Sequence, residues 1–260
     1  MHVLTKTDIN AFFDRLSKSK ERVLILDYDG TLAPFHVDRV KAFPYPGIGA
    51  LLHQIMLSRN NRLIIVTGRT IDDLRKLLTD LKPLPELWGS HGFEWLTKEG
   101  RYFRSKIAPE IDKGLQTAQK LCLEYCEPHQ CEMKGVSFAL HWRGLEKSKQ
   151  ESLKQKTIEL WSPLCKQYPL TILEFDGGIE LRPLQCNKGN AIRAILQEVG
   201  PDAVVAYLGD DTTDEDAFAA LGERGLKVLV NTKAKPTLAD IQITPPEELF
   251  LFLNRWKETK

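Results

Sequence analysis

The sequence predicts an α/β fold: a doubly wound, Rossmann-like core of parallel strands that carries an inserted α+β domain. Two observations predict the core. The chain contains short, mainly apolar runs such as RVLILD (22–27) and AVVAYLG (203–209), and these runs alternate with helical segments. Runs of this kind are typical of parallel strands that helices cover on both faces. A third observation predicts the insertion, since strand-like segments within 105–182 alternate apolar and polar residues instead. We therefore expect a core of 1–104 and 183–260.

The predicted elements follow in the order that such a core requires. Apolar periodicity predicts helices at about 7–19, 47–58, 108–126, 145–161, 188–199, 213–222 and 246–256. Apolar or alternating runs between turn residues predict strands at 22–27, 62–69, LWGSHGFEWL, GRYFRSK, MKGVSFALHWR, LTILEF, GIELRP, AVVAYLG and LKVLV. Three helix starts have capping residues, namely Thr7, Thr70 with Asp73, and Thr213 with Asp216.

Length and composition narrow the class of protein. The 260 residues suffice for a core and a smaller domain. The 36 basic and 35 acidic residues nearly balance, so nothing indicates nucleic-acid binding, although a local basic groove for a small anion stays open. No apolar run is long enough to span a membrane, and MHVLTKTDINAFF lacks the signal-peptide pattern. Five cysteines without a regular framework suit a reducing compartment, so we expect a cytoplasmic protein.

Carboxylates follow two of the predicted core strands. Asp27 and Asp29 end the first strand, and residues two apart in an extended segment point to the same side. Asp210 and Asp211 follow AVVAYLG. Ligands of open α/β sheets bind beyond the carboxyl ends of the strands, and carboxylates there suit Mg²⁺, which prefers oxygen ligands. The alternatives are an acidic turn, and a helix-dipole role for the acidic segment DDTTDEDAF.

A hydroxyl and an ammonium are expected at the same edge of the sheet. Thr67 and Gly68 follow the second strand and offer a hydroxyl and backbone N–H groups to an oxyanion, although TGRT is also compatible with a plain turn. Lys188 begins a helix, where both its charge and the helix N-terminus favour an anion. A nucleophile, a cation, a hydroxyl and a lysine around one point meet the needs of phosphoryl transfer.

Four segments, LDYDGTL, VTGR, the Lys188 position and GDDTTDEDAF, resemble the motifs of the haloacid dehalogenase (HAD) superfamily of phosphotransferases. The resemblance implies that Asp27 is a nucleophile that forms an aspartyl phosphate, and that Asp29 is the general acid and base. It also implies that Mg²⁺ is held by Asp27, the Asp29 carbonyl and Asp210, with Asp211 close by. The insertion between VTGR and Lys188 is similar to the α+β (C2-type) cap of sugar-phosphate phosphatases in this superfamily.

Further segments resemble trehalose-6-phosphate phosphatases, and this resemblance covers nearly the whole chain. They are GSHGFEW (89–95), EMKGVSFALHWR (132–143) and GIELRP (178–183). The resemblance implies that Thr67 and Lys188 are catalytic and that the substrate is bound by Gly68, Arg69, His91, Glu132, Lys134, Arg143 and Glu180. One departure is EFDGG, which stands where family members often carry a lysine. Alternatives are a same-face strand pair for Glu132 and Lys134, a surface ion pair for Arg143, and a turn histidine for His91.

We therefore expect Mg²⁺-dependent hydrolysis of trehalose 6-phosphate to trehalose and phosphate, by a monomer for which a trehalose-6-phosphate synthase is a candidate partner. One alternative is a phosphatase with the same mechanism that acts on sucrose phosphate or mannosylglycerate phosphate. A second is a protein that binds trehalose phosphate without turnover. A third is an interaction module in which zinc is bound by Cys122, Cys126, His129 and Cys131.

Overall fold

A computed structural model describes residues 6–175 and 177–259. The chain divides into two compact units, a larger one of Met1–Phe103 with Asn187–Lys260 and a smaller one of Arg104–Cys186. The boundaries expected from the sequence, after residues 104 and 182, differ from these by one and four residues. Within the described ranges, no helix combines the length and the apolar character needed to cross a membrane.

The larger unit is built on an eight-stranded sheet. Its strands are β1 (Arg22–Leu26), β2 (Asn61–Val66), β3 (Glu86–Gly89), β4 (Glu94–Leu96), β5 (Tyr102–Arg104), β10 (Val204–Gly209), β11 (Gly225–Val230) and β12 (Ile241–Ile243). Their order across the sheet is β12-β11-β10-β1-β2-β3-β4-β5. The six strands from β12 to β3 are parallel, and β4 pairs antiparallel with β3. Strand β1 therefore lies in the middle of a parallel sheet.

Helices cover both faces of this sheet. They are α1 (Lys6–Lys18), α2 (Ile48–Met56), α3 (Ile71–Leu77), α6 (Lys188–Glu198), α7 (Thr212–Leu221) and α8 (Glu247–Glu258). Leu24 and Leu26 of β1 pack in one core with α1, α2, α3 and α8, whereas Val23 and Ile25 pack in the other core with α6 and α7. Because successive side chains of a strand point to opposite faces, the apolar residues 23–26 of β1 fill both cores. The predicted doubly wound arrangement is confirmed.

The smaller unit is an α+β domain. Its antiparallel sheet has the order β6-β7-β9-β8, with strands β6 (Cys131–Lys134), β7 (Ser137–His141), β8 (Leu170–Phe175) and β9 (Gly178–Pro183). Helices α4 (Pro109–Leu123) and α5 (Lys147–Gln167) share one core with this sheet. Phe138 and Leu140 of β7 are in that core, so the alternating residues Ser137 and Ala139 point to the opposite face.

Several local predictions were wrong for identifiable reasons. MKGVSFALHWR is not one strand, because Gly135 has a left-handed φ of 49° and turns the chain between β6 and β7. Thr7 lies inside α1 and is not its N-cap. Helix α7 is capped by Asp211, in a capping box with Asp214, and not by Thr213. The prediction for α3 is confirmed, since Thr70 Oγ1 accepts a hydrogen bond from the N–H of Asp73 at 3.2 Å.

Candidate active site

Asp27 stands at the carboxyl end of β1, in the middle of the sheet. Its side chain is only 5% exposed, and its backbone N–H donates to the carbonyl of Leu208 on the neighbouring strand at 2.8 Å. The turn that follows requires a glycine at position 30, where φ is +81°. A Cβ there would lie 2.1 Å from Oδ2 of Asp210. The missing side chain lets the Asp210 carboxylate approach the turn.

The ammonium of Lys188 joins two buried carboxylates. Its Nζ donates to Oδ1 of Asp27 at 2.6 Å and to Oδ1 of Asp214 at 2.7 Å. Lys188 is the first residue of α6, whose N-cap is Asn187. Burial opposes the charge, but the ion pairs with Asp214 and Asp27 outweigh it and raise the pKa of Lys188. Lys188 is therefore protonated and holds the Asp27 carboxylate in a fixed orientation.

Three carboxylates are crowded around this point. Oxygens of Asp27, Asp210 and Asp214 all lie within 4.8 Å of one another, and all three residues are buried. Burial and the negative charge of Asp214 raise the pKa of Asp27 to about 7, although Lys188 opposes the shift. Burial and the charges of Asp27 and Asp214 raise the pKa of Asp210 well above its usual value. The cluster therefore holds more negative charge than Lys188 neutralises.

The donor set fits Mg²⁺. Oδ1 of Asp210 is buried and has no hydrogen-bond partner within residues 6–175 and 177–259. A buried acceptor without a donor is unfavourable unless a cation or water satisfies it. Carboxylate oxygens from two strand ends are the ligands that Mg²⁺ prefers. Asp27 and Asp210 are therefore suited to hold such an ion.

Asp214 is one of the most extensively bonded side chains of the site. The sequence predicted that it complements the dipole of α7, with a supporting place in the site as the alternative. Asp214 is completely buried, and its carboxylate accepts four hydrogen bonds. Oδ1 accepts from Lys188 and from the hydroxyl of Tyr207 at 2.5 Å, and Oδ2 accepts from the N–H groups of Asp210 at 2.9 Å and Asp211 at 3.0 Å. Burial opposes its charge, but Lys188 and these donors lower the pKa of Asp214. Its capping-box position in α7 was the available sequence signal.

Asp29 is held by Arg69 in a bidentate pair. Nε and Nη2 of Arg69 donate to Oδ2 and Oδ1 of Asp29, each at 2.7 Å. Nη1 donates to the carbonyl of Arg39 at 2.8 Å. Burial opposes the charge of Arg69, but the bonds to Asp29 outweigh it and raise the pKa of Arg69. The two nitrogens of Arg69 that face Asp29 thus position that carboxylate, whereas the sequence resemblance assigned Arg69 to the substrate.

Thr67 and Gly68 follow β2, and His91, which follows β3, lies beside them. The hydroxyl of buried Thr67 accepts from the N–H of Arg69 at 3.2 Å, and the N–H of His91 donates to the carbonyl of Thr67 at 2.9 Å. His91 has a left-handed φ of 54°, and a Cβ on Gly68 would lie 2.8 Å from its ring. A non-glycine residue in this region is unfavourable and is retained where the surroundings enforce it. The predicted roles of all three residues remain predictions.

The loop after β10 is fixed from two directions. The carboxylate of Asp211 caps α7 by accepting from the N–H of Thr212 at 2.7 Å, so its predicted place beside the metal remains a prediction. The carbonyl of Asp210 accepts from Asn231 Nδ2 at 3.2 Å and from Lys235 Nζ at 2.5 Å. The sequence carried no signal for these last two contacts, because no periodicity links positions so far apart.

The smaller unit brings three of its four predicted sugar-binding residues, Glu132, Lys134 and Glu180, onto one sheet. Glu132 and Glu180 both face Ala139, on the two strands that flank it. Oε2 of Glu132 lies 2.7 Å from Nε2 of His141, and Nζ of Lys134 lies 3.6 Å from Oε2 of Glu180. The hydroxyl of Ser137 donates to Oε1 of Glu180. Arg143, the fourth predicted residue beyond this sheet, packs against Gly177, where a Cβ would lie 2.7 Å from its Nε.

The cysteine segment gives no support to a zinc site. Among the described residues, the three aspartates of the larger unit are the only His, Cys, Asp or Glu group with the geometry to hold a metal ion. Cys122 is buried in the core of the smaller unit, and its Sγ lies 3.2 Å from the hydroxyl of Tyr125. All five cysteines are free thiols. The segment therefore begins at the end of helix α4, where Cys122 packs in the core of the smaller unit.

Comparison with known proteins identifies a family to which the sequence of this chain is similar. The sequence model of the trehalose-phosphatase family matches residues 25–245. A probable trehalose-phosphate phosphatase E from Arabidopsis thaliana is 30% identical over 278 residues, which cover 97% of this chain and 76% of that protein. The resemblance expected from the sequence motifs is confirmed.

Solved structures share the fold. The C-terminal domain of a trehalose-6-phosphate phosphatase from C. albicans has a TM-score of 0.82 at 22% identity, with 95% of this chain and 96% of that chain covered. A phosphatase of the haloalkanoate (HAD) enzyme superfamily from Bacteroides thetaiotaomicron has a TM-score of 0.61 at 15% identity, with 91% and 95% covered. The predicted HAD-like fold is confirmed.

Proposed function

We propose, because the chain belongs to the trehalose-phosphatase family, that it hydrolyses trehalose 6-phosphate to trehalose and inorganic phosphate. Because the members of this family are phosphatases, the chain is a phosphoric monoester hydrolase. The observation that best supports chemistry at this site is the ammonium of Lys188 between Asp27 and Asp214, at the carboxyl edge of the sheet. A buried carboxylate held by a lysine is suited to attack phosphorus, since Lys188 fixes its orientation.

In the first step, we propose that a carboxylate oxygen of Asp27 attacks the phosphorus atom. The new bond joins this oxygen to phosphorus, and the bond from phosphorus to the sugar oxygen breaks. Asp29 gives its proton to the departing sugar oxygen, which leaves as a neutral hydroxyl. Arg69 positions Asp29 for this transfer through its bidentate pair. Lys188 offsets charge on the phosphoryl group as it moves to Asp27.

In the second step, a water molecule attacks the aspartyl phosphate. Asp29, now ionised, accepts a proton from that water, and the bond between phosphorus and Asp27 breaks to release phosphate. Thr67 accepts a hydrogen bond from the Arg69 N–H, so its own hydroxyl hydrogen remains available for a phosphoryl oxygen. Gly68 leaves room for the His91 ring beside this position. Each turnover restores the starting protonation of Asp29.

Asp27 and Asp210 would hold Mg²⁺, together with the Asp29 carbonyl. When bound, the ion would neutralise the crowded carboxylates and the developing charge of the phosphoryl group. Both oxygens of Asp214 already accept bonds from protein donors, so we assign Asp214 to positioning.

Metal binding can be tested without activity. Mg²⁺ should raise the melting temperature of the parent by mass action on the folded state, and should raise that of Asp210→Ala much less. Asp72→Ala is the matched control: its carboxylate is 86% exposed on α3 and lies outside the cluster, so this variant should keep the Mg²⁺ shift. Equal shifts in the parent and Asp210→Ala would place the ion elsewhere.

For the sugar, we propose that the smaller unit contributes specificity through Glu132, Lys134, Arg143 and Glu180, with His91 as a further contact from the larger unit. The contact of Glu132 with His141 and the ion pair of Lys134 with Glu180 support this, because they hold polar groups in defined positions. Charged groups that are already fixed lose little entropy when they bind sugar hydroxyls.

The decisive experiment measures phosphate release from trehalose 6-phosphate, glucose 6-phosphate and sucrose 6-phosphate, with Mg²⁺ and with EDTA. We expect trehalose 6-phosphate to give the highest kcat/KM and EDTA to abolish turnover. Preference for sucrose phosphate or mannosylglycerate phosphate would support the alternative sugar-phosphate phosphatases. Binding of trehalose 6-phosphate with no phosphate release would support the alternative of a non-catalytic binding protein.

We further propose that the chain acts as a cytoplasmic monomer and that a trehalose-6-phosphate synthase supplies its substrate as a partner. The nearly balanced charge supports recognition of a small phosphosugar over nucleic acid. Light scattering after size exclusion tests the monomer. Co-elution with a purified synthase tests the partner.

A further inference from the structure

The hydroxyl of Tyr207 is a buried polar group that the proposed mechanism does not use. Tyr207 is completely buried and donates to Oδ1 of Asp214 at 2.5 Å. The same oxygen accepts from Lys188, whose Nζ also contacts the nucleophile Asp27. One hydroxyl on a central strand is therefore linked by three successive hydrogen bonds, through Asp214 and Lys188, to the carboxylate that attacks phosphorus.

The position of this hydroxyl is fixed by rigid elements. Tyr207 lies in β10, where it pairs with Ile25 of β1 on one side and with Lys227 of β11 on the other. Its ring packs edge to face against Phe218 of α7, with centroids 5.6 Å apart and planes at 85°. Groups built on packed strands and helices are held more precisely than groups on loops. The hydroxyl is thus a fixed reference point for Asp214.

The two oxygens of Asp214 have different tasks. Oδ2 accepts from the N–H groups of Asp210 and Asp211 and sets the rotation of the carboxylate. Oδ1 is shared by Tyr207 and Lys188. Without the hydroxyl, Lys188 would be the one donor left of the two that bond to Oδ1. The ammonium of Lys188 could then move toward Asp214 and away from Asp27.

We infer that Tyr207 is a positioning residue, whose hydroxyl acts through Asp214 to hold Lys188 against Asp27. The inference rests on the proposed function for the identity of the reaction at Asp27. It adds a residue that touches neither the substrate nor the proposed metal. It also explains why a hydroxyl is buried in a strand that otherwise consists of apolar residues and glycine.

The test is Tyr207→Phe, which keeps the ring against Phe218 and removes only the hydroxyl. We expect kcat to fall roughly tenfold, as for loss of one hydrogen bond to a charged group, with KM changed less than about twofold. Trehalose 6-phosphate and p-nitrophenyl phosphate should lose the same factor, because both use Asp27. Tyr125→Phe is the control, since it removes a partly buried hydroxyl that donates to Thr157 at 3.2 Å in the smaller unit.

A purely structural role would lower the melting temperatures of both tyrosine variants and leave kcat unchanged when measured well below them. That result would overturn the inference. Binding of inorganic phosphate with Mg²⁺, followed as a shift in melting temperature, gives a second readout. The shift should be smaller in Tyr207→Phe than in the parent and Tyr125→Phe, and equal shifts with equal kcat would contradict the inference.

The design separates this inference from the proposed function. A parent that cleaves p-nitrophenyl phosphate but not trehalose 6-phosphate would refute the substrate and leave the Tyr207 comparison intact on the generic ester. For a parent that cleaves neither, the phosphate shift alone decides: a smaller shift in Tyr207→Phe supports the inference and an equal shift overturns it.

Discussion

The polar residues of the two units differ in charge balance. In the larger unit, oxygens of Asp27, Asp210 and Asp214 lie within 4.8 Å of one another, and the ammonium of Lys188 contacts Asp27 and Asp214. In the smaller unit, Glu180 lies beside the ammonium of Lys134, and Glu132 lies beside the ring of His141. The first arrangement crowds three buried carboxylates around one point, and the second sets its carboxylates apart, each beside a nitrogen group.

This difference indicates two kinds of task. Uncompensated buried charge is unfavourable, and it raises the pKa of Asp27 and Asp210 until a cation or a reacting group relieves it. Groups under such strain are suited to chemistry. Polar groups that partners hold in defined positions, as in the smaller unit, are suited to binding a substrate. The predictions below test whether chemistry and sugar recognition divide between the two units in this way.

The largest effect is expected for the nucleophile. Asp27→Asn should abolish turnover of both trehalose 6-phosphate and p-nitrophenyl phosphate, because it removes the attacking carboxylate and one metal ligand together. Asp29→Asn should also abolish hydrolysis of trehalose 6-phosphate, since no group would then protonate the sugar oxygen. Phosphate release under saturating Mg²⁺ measures both.

Asp72→Asn is the matched control, because its side chain is 86% exposed on α3 and lies outside the carboxylate cluster. It should keep full activity. Turnover of Asp27→Asn within about tenfold of the parent would refute the assignment of the nucleophile. A normal rate for Asp29→Asn would show that another residue is the acid.

The next effect concerns the pH dependence of stability in the metal-free protein. Burial raises the pKa of Asp27 from 3.8 to about 7 against the opposing effect of Lys188, so between these values the folded state binds a proton that the unfolded chain has released. Stability falls with rising pH where the folded state binds more protons. In EDTA, the contribution of Asp27 to the free energy of unfolding should therefore fall from about pH 4 to about pH 7 and level off above, by a few kcal/mol in order of magnitude.

Urea unfolding across this range, for the parent and Asp27→Asn, measures the effect. The variant should show a smaller slope, because only Asp210 then contributes a raised pKa in the cluster. Mg²⁺ should flatten the parent curve, since the ion favours the ionised carboxylates. Identical slopes for parent and variant in EDTA would mean that Asp27 ionises like an ordinary surface carboxylate.

The sequence predicted those parts of the site that follow from strand topology. Asp27 and Asp210 come together because the carboxyl ends of parallel strands meet at one edge, and apolar runs identify such strands. Lys188 was expected at that edge as the first residue of a helix, whose N-terminus favours an anion. The contacts of Asp214 with Tyr207 were not predicted, because they depend on how α7 packs against β10. Side-chain choices of this kind are set by tertiary packing, which no local pattern encodes.

Arg69 illustrates the same limit and gives the third prediction. Arg69→Lys keeps the charge but cannot form the bidentate pair with Asp29, so kcat for trehalose 6-phosphate should fall by roughly a hundredfold. p-Nitrophenyl phosphate should be affected less, because its leaving group needs no proton from Asp29. Arg75→Lys, partly exposed on α3, is the control. A raised KM with unchanged kcat would instead support the substrate-binding role that the sequence motif implied.

The smallest effect, and the most selective one, is expected in the smaller unit. If this unit contributes only sugar recognition, Glu132→Ala should lower kcat/KM for trehalose 6-phosphate by about ten- to a hundredfold, as for about 1–3 kcal/mol of lost hydrogen bonds. Part of the loss should appear in kcat, because remote contacts can assist the reacting phosphate. Hydrolysis of p-nitrophenyl phosphate should change little, since that ester has no sugar. Glu124→Ala, which removes an exposed carboxylate in the same unit, should leave both substrates unaffected. If Glu132→Ala slows both substrates equally, sugar recognition does not reside in the smaller unit and the two units do not divide the work as proposed.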